Sequence, residues 1–275
     1  MTVSIIIPAC DAEPYLPRAL KSLFRQTEPD WQAIIVSDDQ RDYSAYLQGQ
    51  GINDPRLSFA STGLYRSGCH HARNVGFEFV TGDYVTQLDA DDEFTADRLA
   101  TLIPLAKHYG AAADNLLMIN EVTEDKIATV MSEIKGLHHL DLQRFMTLNA
   151  PLVPLIRRDH VLPRVNGVEF SEDVIANIQL IDRIGTLPVT ASSSYVYRIN
   201  TDSMANKEGA AEKFERGYSD YIERLDKGDG FGLRAENRVI AREGLIAKRS
   251  LNRAYAEAVA KNPKMTFSEF VEGKR

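Results

Sequence analysis

Over its first 95 residues the chain alternates short apolar runs with helical repeats of about a dozen residues, and few folds accept that alternation. Val3 to Ile7 is short, apolar and largely β-branched, the pattern of a strand covered on both faces. Pro14 to Arg25 then carries Leu16, Ala19, Leu20, Leu23 and Phe24 at helical spacing, with a proline near the start, where a missing N–H costs little. Trp31 to Val36, Arg56 to Ala60 and Tyr84 to Leu88 read as further strands, separated by helices at Asp42 to Leu47 and Ser67 to Val80. The expected fold class is α/β, a mainly parallel sheet flanked by helices.

Beyond a helix near Thr95 to His108 the order is less regular. Asn115 to Ile119, Ile127 to Met131, Leu152 to Ile156, Leu187 to Thr190 and Tyr195 to Ile199 read as strands, and Ser171 to Ile184 as a helix. From about Lys207 the chain is almost wholly helical, with a break at Gly228-Asp229-Gly230. That break divides the chain into a domain over 1–227 and a C-terminal helical appendage over 228–275.

The 275 residues are enough for a substantial core. No stretch approaches the roughly 18 apolar residues of a membrane-spanning helix. The opening MTVSIIIPAC lacks the basic stretch and longer apolar core of a secretory leader. Cys10 and Cys69 make no disulfide framework, so the expected location is cytoplasmic. A net charge of −7 argues against a nucleic-acid partner. The charge is uneven, with ten Lys or Arg against five Asp or Glu from Phe231 onward. Between Leu233 and Val259 an apolar helical face lies opposite Arg234, Arg238, Arg242, Arg249 and Arg253. The expectation is a helix packed on the domain with a solvated basic face. Peripheral contact with anionic headgroups at the inner face of the membrane, and a homodimer contact, are its alternatives.

In open α/β sheets ligands sit outside the carboxyl ends of the strands. Asp11, Asp38-Asp39 and Asp89 to Asp92 fall there, and Glu172-Asp173 less directly. One such acid is ordinarily a helix cap. Several on one side of a sheet repel one another unless something cationic sits among them. Mg²⁺ or Mn²⁺ bridging to a substrate's phosphates suits one or two carboxylates. Asp89-x-Asp91, directly after an apolar strand, is the centre of that idea.

The run SIIIPACDAEPYLPRALKSLFRQTEPDWQAIIVSDDQRD resembles the first segment of the family 2 glycosyltransferases, which have the GT-A fold. HHARNVGFEFVTGDYVTQLDADD is similar to that family's A-R-N-x-G … L-D-A-D-D segment, and shorter likenesses follow at VNGVEFSEDVIANIQLIDRIG and YVYRINTDSMAN. The resemblance implies an inverting, metal-dependent transferase that moves a sugar from a nucleotide-diphosphate donor, UDP by preference, to a glycan or lipid-linked acceptor. It implies that Pro8 and Ala9 line the base pocket, that Asp38 hydrogen-bonds the base, and that Arg73 sits near the diphosphate. It further implies that Asp89 and Asp91 form the D-x-D pair, with Asp91 the metal ligand, and that Asp173 is the general base. Asp11, in place of the family's Asn, is counted with the donor-binding residues. Cys10 stands where the family stacks an aromatic on the base, Ser37 and Asp39 where it has Asp and Gly, and Asn200 where many members have His. These departures leave open a catalytically degenerate protein that binds nucleotide or glycan. A sugar-phosphate nucleotidyltransferase is disfavoured, since ACDAEPYLPR contains no glycine.

Overall fold

The structure, a computed structural model, describes residues 1–149, 151–165, 170–199, 209–262, 265 and 267–272. Its first part runs β1 (Val3–Ala9), α1 (Leu16–Phe24), β2 (Trp31–Ser37), α2 (Tyr43–Gly49), β3 (Leu57–Ser61), α3 (Cys69–Phe77) and β4 (Tyr84–Gln87). These strands pair in parallel in the order β3-β2-β1-β4. The order reverses at β1, so the residues after β1 and β4 flank the crevice where such sheets bind ligands. Side chains alternate across the strands as the pleat requires. Ile5 and Ile7 join the core beneath α1 and α2, with Leu16, Leu20 and Leu47, while Ile6, Ile34 and Val36 pack with Ala72 of α3 on the other face.

The second part runs β5 (Glu93–Phe94), α4 (Arg98–Tyr109), β6 (Ala111–Asn120), β7 (Lys126–Thr129), β8 (Leu137–Leu140), α5 (Leu142–Thr147), β9 (Leu155–Arg157), α6 (Glu172–Ile184) and β10 (Leu187–Ile199). Strand β9 lies antiparallel between β4 and β6, and β10 lies parallel to β6, extending one sheet across the molecule. The expected mainly parallel α/β sheet is therefore present, with short antiparallel strands added in its second half. The two strands expected at 187–190 and 195–199 are one strand with an irregularity between Thr190 and Ser194. The intervening Ala-Ser-Ser-Ser has weak strand propensity, but Ser193 Oγ donates to buried Asp114 at 3.0 Å and keeps the strand in place. Asp114 also receives the fully buried Arg98 at 3.0 Å, whose guanidinium lies 4.2 Å from the Phe94 ring.

Three further helices follow, α7 (Ala210–Lys227), α8 (Ala235–Lys261) and α9 (Phe267–Glu272). Helices α5 to α8 share a core with β6 and β10, in which Ile178, Ile181, Tyr221, Leu225, Phe231 and Leu245 are buried together. The arginines at the start of α8 and along it remain partly exposed and also pair with acids of the same chain. Arg242 meets Asp226 at 2.5 Å, Arg253 meets Glu215 at 2.5 Å, and Arg234 meets Asp182 at 3.3 Å. Among the described residues no helix is long and apolar enough to cross a membrane.

Helix α3 is shorter at its start than the sequence pattern, because the N–H groups of Ser67 and Gly68 bond to Asp38 instead of entering a helix. Its approach to the sheet depends on Gly76. A Cβ there would stand 2.5 Å from Ile6 Cγ2 and 3.1 Å from Val36 Cγ2, both on stiff β-branched side chains. Gly76→Ala should lower stability by about 1–3 kcal/mol in urea unfolding. An unchanged midpoint would show that α3 does not press on the sheet there.

Candidate active site

After β1 the chain turns sharply, with Asp11 at φ +51°. Asp39 holds that turn. Its carboxylate accepts from Asp11 N–H at 2.7 Å, the Tyr43 hydroxyl at 2.7 Å, Ser37 Oγ at 3.1 Å and Arg41 N–H at 3.2 Å. Burial alone would raise this carboxyl, but the donors, led by Asp11 N–H, hold it below its ordinary range. Pro8 and Ala9 end β1 beside it. The Asp11 carboxylate is half-exposed and ion-paired to Arg41 and Arg66.

Asp38, at the end of β2, is saturated on one oxygen. Its Oδ1 accepts from Thr62 Oγ1 at 2.9 Å, from Ser67 N–H at 3.1 Å and from Ser67 Oγ. Its Oδ2 accepts only Gly68 N–H, at 2.9 Å, among the described residues. Of a carboxylate's roughly four acceptor positions, one remains on Oδ2.

The acids after β4 divide by environment. Asp92 is buried and acts as a brace, accepting from the Tyr195 hydroxyl and from Arg198 N–H, each at 2.8 Å. Tyr195 in turn accepts Asp89 N–H at 3.1 Å, which ties the acidic loop to β10. Burial pushes the Asp91 carboxyl up to about 6, and the neighbouring Asp89 charge adds to the shift. Arg18 donates to the Asp91 carbonyl oxygen at 2.8 Å while its other nitrogen pairs with Glu121 at 2.7 Å. Asp89 is more open and receives Arg73 at 2.6 Å.

Arg73, projecting from α3, connects this loop to α6. One guanidinium nitrogen meets Asp89 and the other meets Glu172, the first residue of α6. Arg164 approaches the far oxygen of Glu172 at 3.4 Å and donates to Gln87 at 2.7 Å. Burial alone would raise Glu172, but Arg73 and then Arg164 hold it below its ordinary value. Asp173, the next residue, differs in kind. Burial and the adjacent Glu172 raise its carboxyl, and Asp89 contributes in the same direction. Asp173 lines a cleft with Arg73, Asn74, Gln87 and Asn177.

The structure thus places Pro8, Ala9, Asp11, Asp38, Arg73, Asp89, Asp91 and Asp173 along the carboxyl ends of β1, β2 and β4 and the start of α6. Asn200 lies outside the described residues. Sequence reasoning missed Arg18 and Arg164 and the bracing role of Asp39 and Asp92. Arg18 and Glu121 are 103 residues apart, and no local pattern predicts such a pair. The donor set suits a hard divalent ion. Asp91 is a half-buried carboxylate with Asp89 beside it, and among the described residues no group of three or more His, Cys, Asp or Glu is arranged to hold a metal. One or two carboxylates with the remaining positions left to phosphate is the Mg²⁺ pattern.

Residues 4–150, more than half of the chain, match the family described as Glycosyl transferase family 2. The chain belongs to this family. One relative, a GalNAc(5)-diNAcBac-PP-undecaprenol beta-1,3-glucosyltransferase of Campylobacter jejuni, is 32% identical over 122 residues, covering 43% of this chain and 39% of the relative. The chain spans 36–40% of the length of three such curated relatives. Among solved structures, residues 1–349 of S. aureus TarS in complex with UDP-GlcNAc align with TM-score 0.62 at 15% identity, covering 89% of this chain and 79% of that one. GalNAc-T7 with UDP, GalNAc and Mn²⁺ aligns with TM-score 0.61 at 14% identity, covering 89% and 54%. At these identities the likeness is one of fold, and it is the GT-A fold of glycosyltransferases.

The Asp91 environment makes a prediction about stability. A carboxyl raised in the folded state binds its proton more tightly there than in the unfolded chain. Its ionised form therefore costs stability above about 6, and the cost is absent below the ordinary 3.8. Asp91→Asn should raise the thermal midpoint of metal-free protein at neutral pH, with a gain that shrinks as pH falls from 6 toward 4. A variant less stable than wild type at neutral pH would show that the Asp91 charge is already compensated.

Proposed function

We propose that this family 2 glycosyltransferase is an inverting enzyme that takes a sugar from a UDP-linked donor and transfers it to a hydroxyl of a glycan or lipid-linked acceptor, with Mn²⁺ or Mg²⁺. The observation that carries the reading is the Arg73 guanidinium, which meets Asp89 on one side and Glu172, neighbour of Asp173, on the other. It brings the acids suited to the donor diphosphate and the acid suited to the acceptor into one site. The named Campylobacter relative acts on an undecaprenyl diphosphate-linked glycan, and TarS and GalNAc-T7 have structures with UDP-GlcNAc and with UDP and Mn²⁺. A cytoplasmic site of action belongs to this reading.

In this mechanism Pro8 and Ala9 line the base pocket, and the remaining acceptor position on Asp38 Oδ2 takes the base N–H. Asp91 would hold a divalent ion, and Asp89 and Arg73 would orient the donor diphosphate. When bound, the ion offsets charge building on the departing nucleotide. Asp173 accepts the proton of the acceptor hydroxyl. The acceptor oxygen bonds to the anomeric carbon from the face opposite the diphosphate, and the carbon–oxygen bond to the phosphate breaks, inverting the centre. The upward shift of Asp173 brings the base closer to neutral, where proton transfer is most effective. Membrane contact through the α8 arginines has weaker support, since Arg234, Arg242 and Arg253 are already paired to acids of the same chain.

Asp173→Asn keeps the shape of the side chain but cannot accept the proton. UDP binding in Mn²⁺ should survive while turnover falls by about 10²- to 10⁴-fold. Turnover at the wild-type rate would remove Asp173 from the role of base. A wild type that binds UDP-sugar yet neither transfers nor hydrolyses it would favour a binding protein.

A further inference from the structure

The loop after β3, residues 62–68, is unusually well fixed for an exposed connection. Four of its seven residues bond to Asp38. Thr62 Oγ1, Ser67 Oγ and the N–H groups of Ser67 and Gly68 donate to the carboxylate, and Arg66 N–H donates to the Asp38 carbonyl oxygen at 2.6 Å. The Arg66 guanidinium reaches over to the Asp11 carboxylate. Gly63, Arg66 and Gly68 hold positive φ of 69°, 54° and 102° to make these contacts. The loop is thus clamped against the ends of β1 and β2.

At its centre are two large side chains that the protein does not bury, Leu64 at 52% exposure and Tyr65 at 61%. Left open to solvent, they contribute little burial energy to the fold and remain available to a ligand. Tyr65 is also oriented. Its hydroxyl accepts from Arg66 Nε at 3.2 Å, and the guanidinium carbon lies 5.4 Å from the ring centroid. Cys10, exposed at the end of β1 and close enough to Arg66 to be influenced by its charge, offers no ring of its own. A loop bonded to Asp38, whose Oδ2 has one acceptor position to spare among the described residues, and carrying an exposed aromatic ring, matches a planar base bearing an N–H.

We propose that Tyr65 is the stacking platform for the pyrimidine base of the nucleoside diphosphate donor, delivered from the 62–68 loop that Asp38 and Asp11 hold in place. The inference rests on the donor reading given under Proposed function. Tyr is suited to the task because fixing its two side-chain torsions costs little entropy. Asp38 then has two tasks, holding the loop through Oδ1 and Gly68, and meeting the base edge through Oδ2.

The test is titration calorimetry of UDP, and separately of pyrophosphate, in Mn²⁺ with wild type, Tyr65→Ala and Tyr65→Phe. Base–aromatic stacking is lost only in Tyr65→Ala, whose UDP dissociation constant should rise roughly 5- to 150-fold. Tyr65→Phe should bind UDP like wild type, and pyrophosphate should bind all three proteins equally. Three results overturn the inference alone: UDP binding by Tyr65→Ala at wild-type strength, equal weakening in both variants, or a matching loss of pyrophosphate binding in Tyr65→Ala. Failure of wild type to bind UDP at all overturns the donor reading, and the inference with it.

Discussion

A single buried guanidinium joins the two halves of this site. Arg73 comes from α3, in the parallel half of the sheet, while Asp89 ends β4 and Glu172 begins α6, nearly a hundred residues further on. Burying an arginine is costly unless its charge is met, and here two carboxylates meet it at the two terminal nitrogens, while Nε has no partner among the described residues. Arg164 supplies a second cation to Glu172, so the start of α6 is fixed from two directions. Asp173 gains its position from this arrangement without taking part in the ion pairs. Both arginines go to its neighbour, so among the described residues the half-buried Asp173 carboxylate has no ion pair of its own.

The same division of labour runs through the other strand-end acids. Asp39 and Asp92 receive several donors each and are spent on structure, bracing the turn after β1 and the contact with β10. Asp91 and Asp173 are half-buried, with carboxyls raised by desolvation and neighbouring charge, so their ionised forms are held at a cost to the fold. Groups kept in that condition are the ones with free energy to gain from a cation or a proton. Asp38 stands between the two classes, with one oxygen committed to a loop and one acceptor position to spare.

The parallel half was legible in the sequence because its signals are local. Unbroken apolar strands, helical spacing in α1 and the acids at strand ends all lie within a few residues of one another. In the second half α4, β6, β7, α6 and β10 were legible for the same reason, and β9 in part. Strand β8 and helix α5, four and six residues long, were not, being too short for periodicity to distinguish from loop. The basic stripe on α8 is partly solvated, as its spacing implies, but a sequence does not show the acids that the arginines also meet, Asp226 and Glu215 of α7. The site residues were named through a family resemblance, whereas the braces at Asp39 and Asp92 and the distant pairs of Arg18 and Arg164 depend on tertiary contacts. Asp39 is instructive. Where the family pattern has glycine, this chain has a carboxylate that organises the turn carrying Asp11.

If these acids and Arg73 form the proposed site for a metal-bound uridine diphosphate, calorimetric titration of UDP, GDP and ADP into the wild-type protein with and without Mn²⁺ will show it. UDP should bind more tightly than GDP or ADP, and its binding should depend on the ion. Equal affinities for the three nucleotides, tighter binding of GDP, or UDP binding indifferent to Mn²⁺ would contradict the proposal.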